Sequence, residues 1–348
     1  MQLPVSPPVA PMLAKAVTTV PTDAGVWSYE PKWDGFRALV FRDGDEITVQ
    51  SRSGKDLGRY FPELLDALRT EIAPRCVLDG EIVVPRQVDG RTRLDWDALS
   101  ARIHPADSRI ALLARETPAH FIGFDALADA DTALLDRPLT DRRQALGALV
   151  TGGQWCHITR STEDPELAAR WLTTFEGAGL DGVIAKRRGG HYLPGKREMA
   201  KIKHARDADV VAIGYRVHKS GEGVGSILLG LYDDDGALQM VGGAASFSTA
   251  ARAQLLAELE PLRLAQDLVR DGEPSRWNSA ADKRWIPIRP DRVAEVGYDQ
   301  MEGAGPGRRF RHAVRFRRWR PDRDPRSCTF DQLDVPARYD LSDVLEDR

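Results

Sequence analysis

The stretch Glu30-Pro31-Lys32-Trp33-Asp34-Gly35-Phe36-Arg37 decides how the rest of the chain is read. A lysine stands between a strand and a turn, an acid follows two residues on, and a glycine leaves room for close backbone approach. That is a fitting setting for a positioned amine nucleophile. The combination is fairly specific, and the competing reading is a surface hairpin turn, Asp-Gly being ordinary turn chemistry. Its downstream flank reads as strands. Phe36, Ala38 and Val40, then Ile47 and Val49, alternate at period two around Arg42-Asp43-Gly44-Asp45, which predicts a hairpin.

Composition makes the lysine more informative. Of 49 Lys+Arg in 348 residues, nine are lysine (Lys15, Lys32, Lys55, Lys186, Lys196, Lys201, Lys203, Lys219 and Lys283) and forty are arginine. Arginine keeps its proton at working pH and cannot act as an amine nucleophile; lysine can. Where basic surface drifts to arginine, the retained lysines stand out, and they gather at Lys32, Lys186 and Lys201/Lys203. Chance clustering among nine residues is the competing explanation.

Further outward, Phe61, Leu64, Leu65, Leu68 and Ile72 have helical spacing, and residues 139–149 and 165–178 also read as helices. CVLDGEIVVP, HFIGFDALA and DGVIAKR read as strands between them. After about residue 205, glycines (Gly214, Gly221, Gly223, Gly225, Gly230, Gly236, Gly242, Gly243) crowd between short β-branched runs, as in a small bent antiparallel barrel. The expected layout is a domain over 1–205, a barrel over 206–330 with one helix from Thr249, and an acidic tail over 331–348.

Bulk properties narrow the function. With 42% hydrophobic and 29% charged residues the chain can bury a core. Cys76, Cys156 and Cys328 are odd in number and far apart, which excludes a disulfide framework and a CxxC zinc site. No membrane span and no secretory leader are read, so a cytoplasmic place at the nucleoid is expected. A net charge of −3 argues against a uniformly basic coat, yet seven arginines and no carboxylate lie between Arg308 and Arg320. Such a run suits backbone phosphate, and a solvated basic face accounts for part of it.

Four other pieces carry chemistry. Ser51-Arg52-Ser53-Gly54 is a polar turn. Leu78-Asp79-Gly80-Glu81-Ile82 sets two carboxylates beside a glycine, suited to ribose hydroxyls or a hard divalent cation, or to an exposed turn. Asp181-Gly182-Val183-Ile184-Ala185-Lys186 repeats the acid-Gly pattern and ends in a lysine. In Lys201-Ile202-Lys203, period two puts both ammonium groups on one strand face, where they suit a phosphate and repel a proton from a third lysine. A solvated edge strand is the plainer reading of that piece. A nucleoside triphosphate with a divalent cation would use all of these groups together.

The ordered set EPKWDGFR, SRSG, LDGEI, FIGFD, DGVIAK and KIK resembles the successive motifs of the covalent nucleotidyltransferase superfamily. Phe316 to Arg323 (FRRWRPDR) resembles its terminal motif, and Pro11-Met12-Leu13-Ala14 is similar to the start of ATP-dependent DNA ligases of the compact bacterial C type. The resemblance runs from residue 30 to 323. It implies an α+β fold: an adenylation domain of antiparallel sheets with flanking helices, then an OB-fold barrel. It implies ATP and Mg²⁺ (or Mn²⁺) as cofactors. Lys32 would form the lysyl-AMP; Glu30, Arg37 and Arg52 would contact nucleotide or phosphate; Glu81 would hold a ribose hydroxyl and serve the metal with Asp181. Phe124 would stack on adenine, Lys201 and Lys203 would grip the α-phosphate, and Arg320 and Asp322 would orient pyrophosphate. Two positions depart from the family pattern: Asp181 replaces the usual Glu, and Arg323 the usual Lys.

The implied partner is nicked duplex DNA, bound by a monomer. The stretch before Glu30 is too short for a DNA-clasping domain, which suggests help from a repair polymerase or an end-binding protein. An RNA ligase or GTP-using capping enzyme shares Lys32 and Glu81, and the terminal motif and the PMLA stretch weigh against both. A non-catalytic nucleic-acid-binding barrel explains the arginine run and leaves the ordered lysine and acid pieces unexplained.

Overall fold

The computed structural model describes the chain except residues 89, 205, 272–283, 304–306, 334–338 and 346–348. The chain divides into two compact units, Met1–His204 with Pro336–Arg348, and Ala205–Val335. The segment from 331 is thus not one appendage. Asp331 and Gln332 lie in the second unit, whereas Tyr339 to Leu345 pack on the first. The cause is apolar: Leu341 and Val344 are fully buried and Tyr339 lies against Phe175, so a few hydrophobic side chains outweigh an acidic composition.

In the first unit, strands run β1 (Leu13–Val17), β2 (Trp27–Pro31), β3 (Phe36–Asp43), β4 (Glu46–Ser51), β5 (Arg75–Val83), β6 (His120–Asp129), β7 (Cys156–Ile158), β8 (Val183–Arg187) and β9 (Arg197–Ile202). They form two sheets, β1-β9-β8-β2 and β7-β6-β5-β3-β4, antiparallel except where β1 meets β9 and β7 meets β6. Helices α1 (Pro62–Glu71), α2 (Leu139–Leu149) and α3 (Pro165–Thr174) cover them. Proline at N1 starts α1 and α3, and Asp164 caps α3 through the Glu166 amide. Each sheet has its own apolar layer: Ala38, Val40, Leu64, Leu68 and Leu78 on one side, Trp33, Ala168, Leu180 and Val183 on the other.

The second unit holds β10 (Arg206–Val217), β11 (Val224–Tyr232), β12 (Leu238–Ala245), helix α4 (Thr249–Leu259), β13 (Val293–Tyr298) and β14 (Arg315–Trp319). Its sheet order is β12-β11-β10-β13-β14, antiparallel throughout. Register shifts on β10, β11 and β13 mark the bulges that bend such a sheet. A parallel bridge from Ala244 to Val314 ties edge strand β12 to the residue before β14. Among the described residues no helix is long and apolar enough to cross a membrane.

Candidate active site

Local pairing sets the position of Lys32. Strand β2 pairs with β8, and the pairing continues past Pro31: the Lys32 amide donates to the Gly182 carbonyl at 2.8 Å, and the Asp181 amide to the Lys32 carbonyl at 3.0 Å. Gly182 is required here. Its φ is +130°, and a Cβ would lie 2.1 Å from the Ile202 carbonyl oxygen. Gly35 is equally forced, because its Cβ would meet the Ile82 carbonyl oxygen at 2.1 Å. Both glycines of the sequence signature therefore let strands approach closely beside the lysine.

The pairing brings charge together. Lys32 Nζ donates to Asp181 Oδ2 at 2.7 Å, and Lys203 Nζ reaches the same oxygen at 2.9 Å. The Asp181 side chain is 9% exposed; burial would raise its carboxyl, and the two ammonium groups outweigh burial and hold it below the usual range. Burial, with Lys203 and Lys32 beside it, lowers Lys201.

A cavity of about 260 Å³ lies next to this cluster. Glu30, Lys32, Arg37, Arg52, Glu81, Phe124, Lys201 and Lys203 all line it, together with Pro11 to Ala14. On its acidic side, Glu81 Oε1 accepts from the Gly35 amide at 3.2 Å. Removal from water pushes the Glu81 carboxyl up to about 7, against the pull of Arg37 and Lys32. Arg37 opposes Glu81 in the β3–β5 register but forks onto Asp79 with two bonds of 2.6 Å. Burial would lower the guanidinium, and Asp79 more than offsets it, so Arg37 stays a cation. Its guanidinium lies 4.5 Å from the Phe124 ring centroid, and Lys186 Nζ 4.7 Å.

Glu30 is 2% exposed and fully engaged: Arg143 Nη1 meets Oε1 at 2.7 Å and Lys186 Nζ meets Oε2 at 2.7 Å. Lys186 also donates to the Phe124 carbonyl at 2.9 Å. Arg143 and Tyr192, whose hydroxyl donates to Asp79 at 2.7 Å, were not singled out from the sequence. Asp79, read from the sequence with Glu81 as a carboxylate pair, is instead fully buried and taken up by Arg37 and Tyr192.

Arg320 and Asp322 belong to the second unit. There Arg320 pairs with Asp322 at 2.8 Å and Asp209 at 3.1 Å, with Glu295 at 3.7 Å. The hydrogen bond from Arg320 lowers the Asp322 carboxyl to about 2. No group of three or more His, Cys, Asp or Glu side chains forms a ready cation cage among the described residues.

A lysine amine and a carboxylate shared by two ammonium groups thus stand beside a cavity that Phe124 also lines. Residues 11–203 match the model of the ATP dependent DNA ligase domain, and residues 220–323 that of the ATP dependent DNA ligase C terminal region. The chain is 70% identical to DNA ligase C1 of Mycolicibacterium smegmatis over 349 residues, the whole of both chains. It is 34% identical to the multifunctional non-homologous end joining protein LigD of Mycobacterium bovis, across 91% of this chain and 39% of that one. A solved structure of a Lig E DNA ligase superposes with a TM-score of 0.54 at 16% identity, covering 89% of this chain and 99% of that one, a likeness of fold. The chain belongs to the ATP-dependent DNA ligases and is an enzyme of that family.

Proposed function

We propose that Lys32 carries AMP and that the enzyme seals nicks between a 3′-hydroxyl and a 5′-phosphate in duplex DNA. In the first step Lys32 Nζ, unprotonated, attacks the ATP α-phosphorus; an N–P bond forms, the bond to pyrophosphate breaks, and one amine proton goes to solvent, to be regained when the amine is released. The 5′-phosphate of the nick then takes the AMP and returns the amine. Finally the 3′-hydroxyl attacks that phosphate, the phosphodiester forms, AMP leaves, and the hydroxyl proton goes to solvent. Each step is phosphoryl transfer, so positioning and charge neutralisation supply the catalysis. The observation that carries this reading is the sharing of Asp181 Oδ2 by Lys32 and Lys203 beside the cavity. Asp181 steers the amine, while Lys201 and Lys203 are left to neutralise charge on the α-phosphate. Phe124 offers the base a flat surface, Glu81 takes a ribose hydroxyl, Arg37 and Arg52 contact nucleotide or nick phosphate, and Glu30 is held rigid at the cavity wall.

A divalent cation fits this donor set as a companion of the substrate. Mg²⁺ is commonly held by one or two carboxylates with phosphate oxygens and water, and Glu81 and Asp181 are the carboxylates available. Bound there, Mg²⁺ or Mn²⁺ would act as a Lewis acid on the α-phosphate and favour the uncharged amine. Arg320 and Asp322 are proposed to orient the departing pyrophosphate, which requires the second unit to close for adenylation and reopen for DNA. The name of the LigD relative supports a setting in repair, with an end-binding protein or polymerase as partner.

The test is incubation with α-labelled ATP or GTP and Mg²⁺, then denaturing electrophoresis. ATP label that survives denaturation and is lost in Lys32→Ala is the expected result. Label from GTP alone, or none, would overturn the assignment.

A further inference from the structure

Pro11 to Ala14 line the nucleotide cavity, and a segment far along the chain holds them there. The Met12 amide donates to Tyr192 Oη at 2.9 Å, and the Leu193 amide to Met12 Sδ at 3.4 Å. The Gly195 amide donates to the Pro11 carbonyl at 3.3 Å, and the Leu13 amide to the Lys196 carbonyl at 2.7 Å. Leu193, Gly195 and Lys196 use main-chain groups for this, so those bonds ask for no particular side chain. Tyr192 uses its hydroxyl.

That hydroxyl has a second task. While it accepts from Met12, it donates to Asp79 Oδ2 at 2.7 Å. Asp79 takes Arg37 Nε and Nη2 at 2.6 Å each, and Arg37 Nη2 returns to the Met12 carbonyl at 3.3 Å. The four residues close a ring of hydrogen bonds. Met12 and Arg37 face the cavity, whereas Tyr192 is 2% exposed and Asp79 is fully buried. A hydroxyl has one proton to give and lone pairs to receive with, and here it does both. Burial, with the Asp79 carboxylate beside it, holds the phenol well above its usual range, so the proton stays available to Asp79. The ring therefore ties two cavity features together: the main chain of the Pro11–Ala14 wall, and the guanidinium that lies 4.5 Å from the Phe124 ring centroid.

We propose that Tyr192 is a positioning residue for nucleotide capture: its hydroxyl fixes the Pro11–Ala14 wall and Arg37 relative to each other before ATP arrives. Phenylalanine in its place keeps the ring but leaves the buried Met12 amide and the Asp79 carboxylate each short of a partner, which frees Arg37 and the wall to shift. The inference rests on the nucleotide cavity being the site of adenylation, which labelling of the unaltered chain by ATP tests separately.

The experiment measures, for the full chain, the ATP concentration for half-maximal labelling rate and the rate at saturating ATP. In Tyr192→Phe the first should rise about tenfold, the scale of one buried hydrogen-bond partner lost. The second should stay within about twofold, because the bonds of Lys32 and Lys203 to Asp181 lie outside the ring. Arg37→Lys keeps the charge and loses the fork onto Asp79. If Tyr192 acts through Arg37, adding Tyr192→Phe to Arg37→Lys should raise the half-maximal concentration by less than about twofold further. Asp79→Asn breaks the same ring from its other side with Tyr192 intact, and should also raise the half-maximal concentration. An ATP requirement unchanged in both Tyr192→Phe and Asp79→Asn, in a chain that labels normally, overturns the proposal. So does a full second tenfold rise in the double variant, since the two residues would then act independently, and so does a fall in the saturating rate with the ATP requirement unchanged.

Discussion

Two ion clusters, one in each unit, handle charge in opposite ways. In the first, Lys32 and Lys203 share one carboxylate, Asp181, and Lys201 lines the same cavity. Three ammonium groups there accompany the Asp181 carboxylate, a setting suited to a phosphate. In the second, Arg320 sits among Asp322, Asp209 and Glu295, while Arg318 takes Glu295 at 2.7 Å and Arg323 reaches Asp209 at 3.7 Å. Three guanidinium groups face three carboxylates, and the cluster is closed on itself. The lesson is that two segments resembling triphosphate-handling motifs differ in readiness. The first gathers ammonium groups beside a cavity, whereas Arg320 must exchange partners before it can meet an anion.

The largest effect should come from the single carboxylate of the open cluster. Asp181→Ala releases Lys32 and Lys203 together and leaves like charges facing each other. Labelling by ATP should fall about 100-fold or more, the scale seen when one positioning electrostatic contact is removed. A loss of less than threefold would mean that Asp181 neither steers the amine nor aids the cation.

Arg320→Ala comes next and bears directly on the comparison. If Arg320 leaves its carboxylates to meet pyrophosphate, adenylation should drop about tenfold or more while sealing of pre-adenylated nicks drops less. The opposite ranking would assign Arg320 to DNA instead.

Glu81 supplies a pH test. Its carboxyl rises from 4.5 to about 7 because the strands take it out of water. Between those values the folded chain holds a proton that the unfolded chain has released, so stability from this group is complete below pH 4.5 and falls as pH rises through 7. Denaturant titrations of the nucleotide-free chain should show that slope, and Glu81→Gln should flatten it. Nucleotide capture should move the other way, improving as the carboxylate forms, with the improvement absent in Glu81→Gln. Parallel slopes in the two proteins would remove Glu81 as the titrating group.

Much of this was legible in the sequence, for a physical reason: a nucleophilic lysine cannot be replaced by arginine, so a chain with few lysines displays the ones it needs. Lys32, Lys201 and Lys203 do gather with Asp181, and Glu81 and Phe124 lie on the strands read from their motifs. Arg143 was not legible. It follows Arg142 on α2 in a chain with forty arginines, and nothing local tells the two apart. Yet Arg142 is buried against Asp125 as a core ion pair while Arg143 reaches Glu30. Those partners lie on strands distant in sequence, where only tertiary packing assigns them. The end of the chain hid a signal of a different kind. Leu341, just before a short helix over Ser342–Leu345, and Val344 within it are both buried, but the surrounding acids make the composition read as a solvated tail.

The smallest expected effect separates redundancy from direct contact. Asp322→Asn removes one carboxylate from the closed cluster, and Asp209 still holds Arg320. An exposed ion pair of this kind contributes little by itself. With its carboxyl near 2, Asp322 stays ionised at every working pH, so its loss should not alter the pH profile of labelling. The rate should change by about threefold or less, far below the effect at Asp181, which holds two lysines at once. A loss equal to that in Arg320→Ala would show that Asp322 meets the triphosphate side itself, through the cation or the pyrophosphate, and that the closed cluster opens further than exchange at Arg320 alone requires.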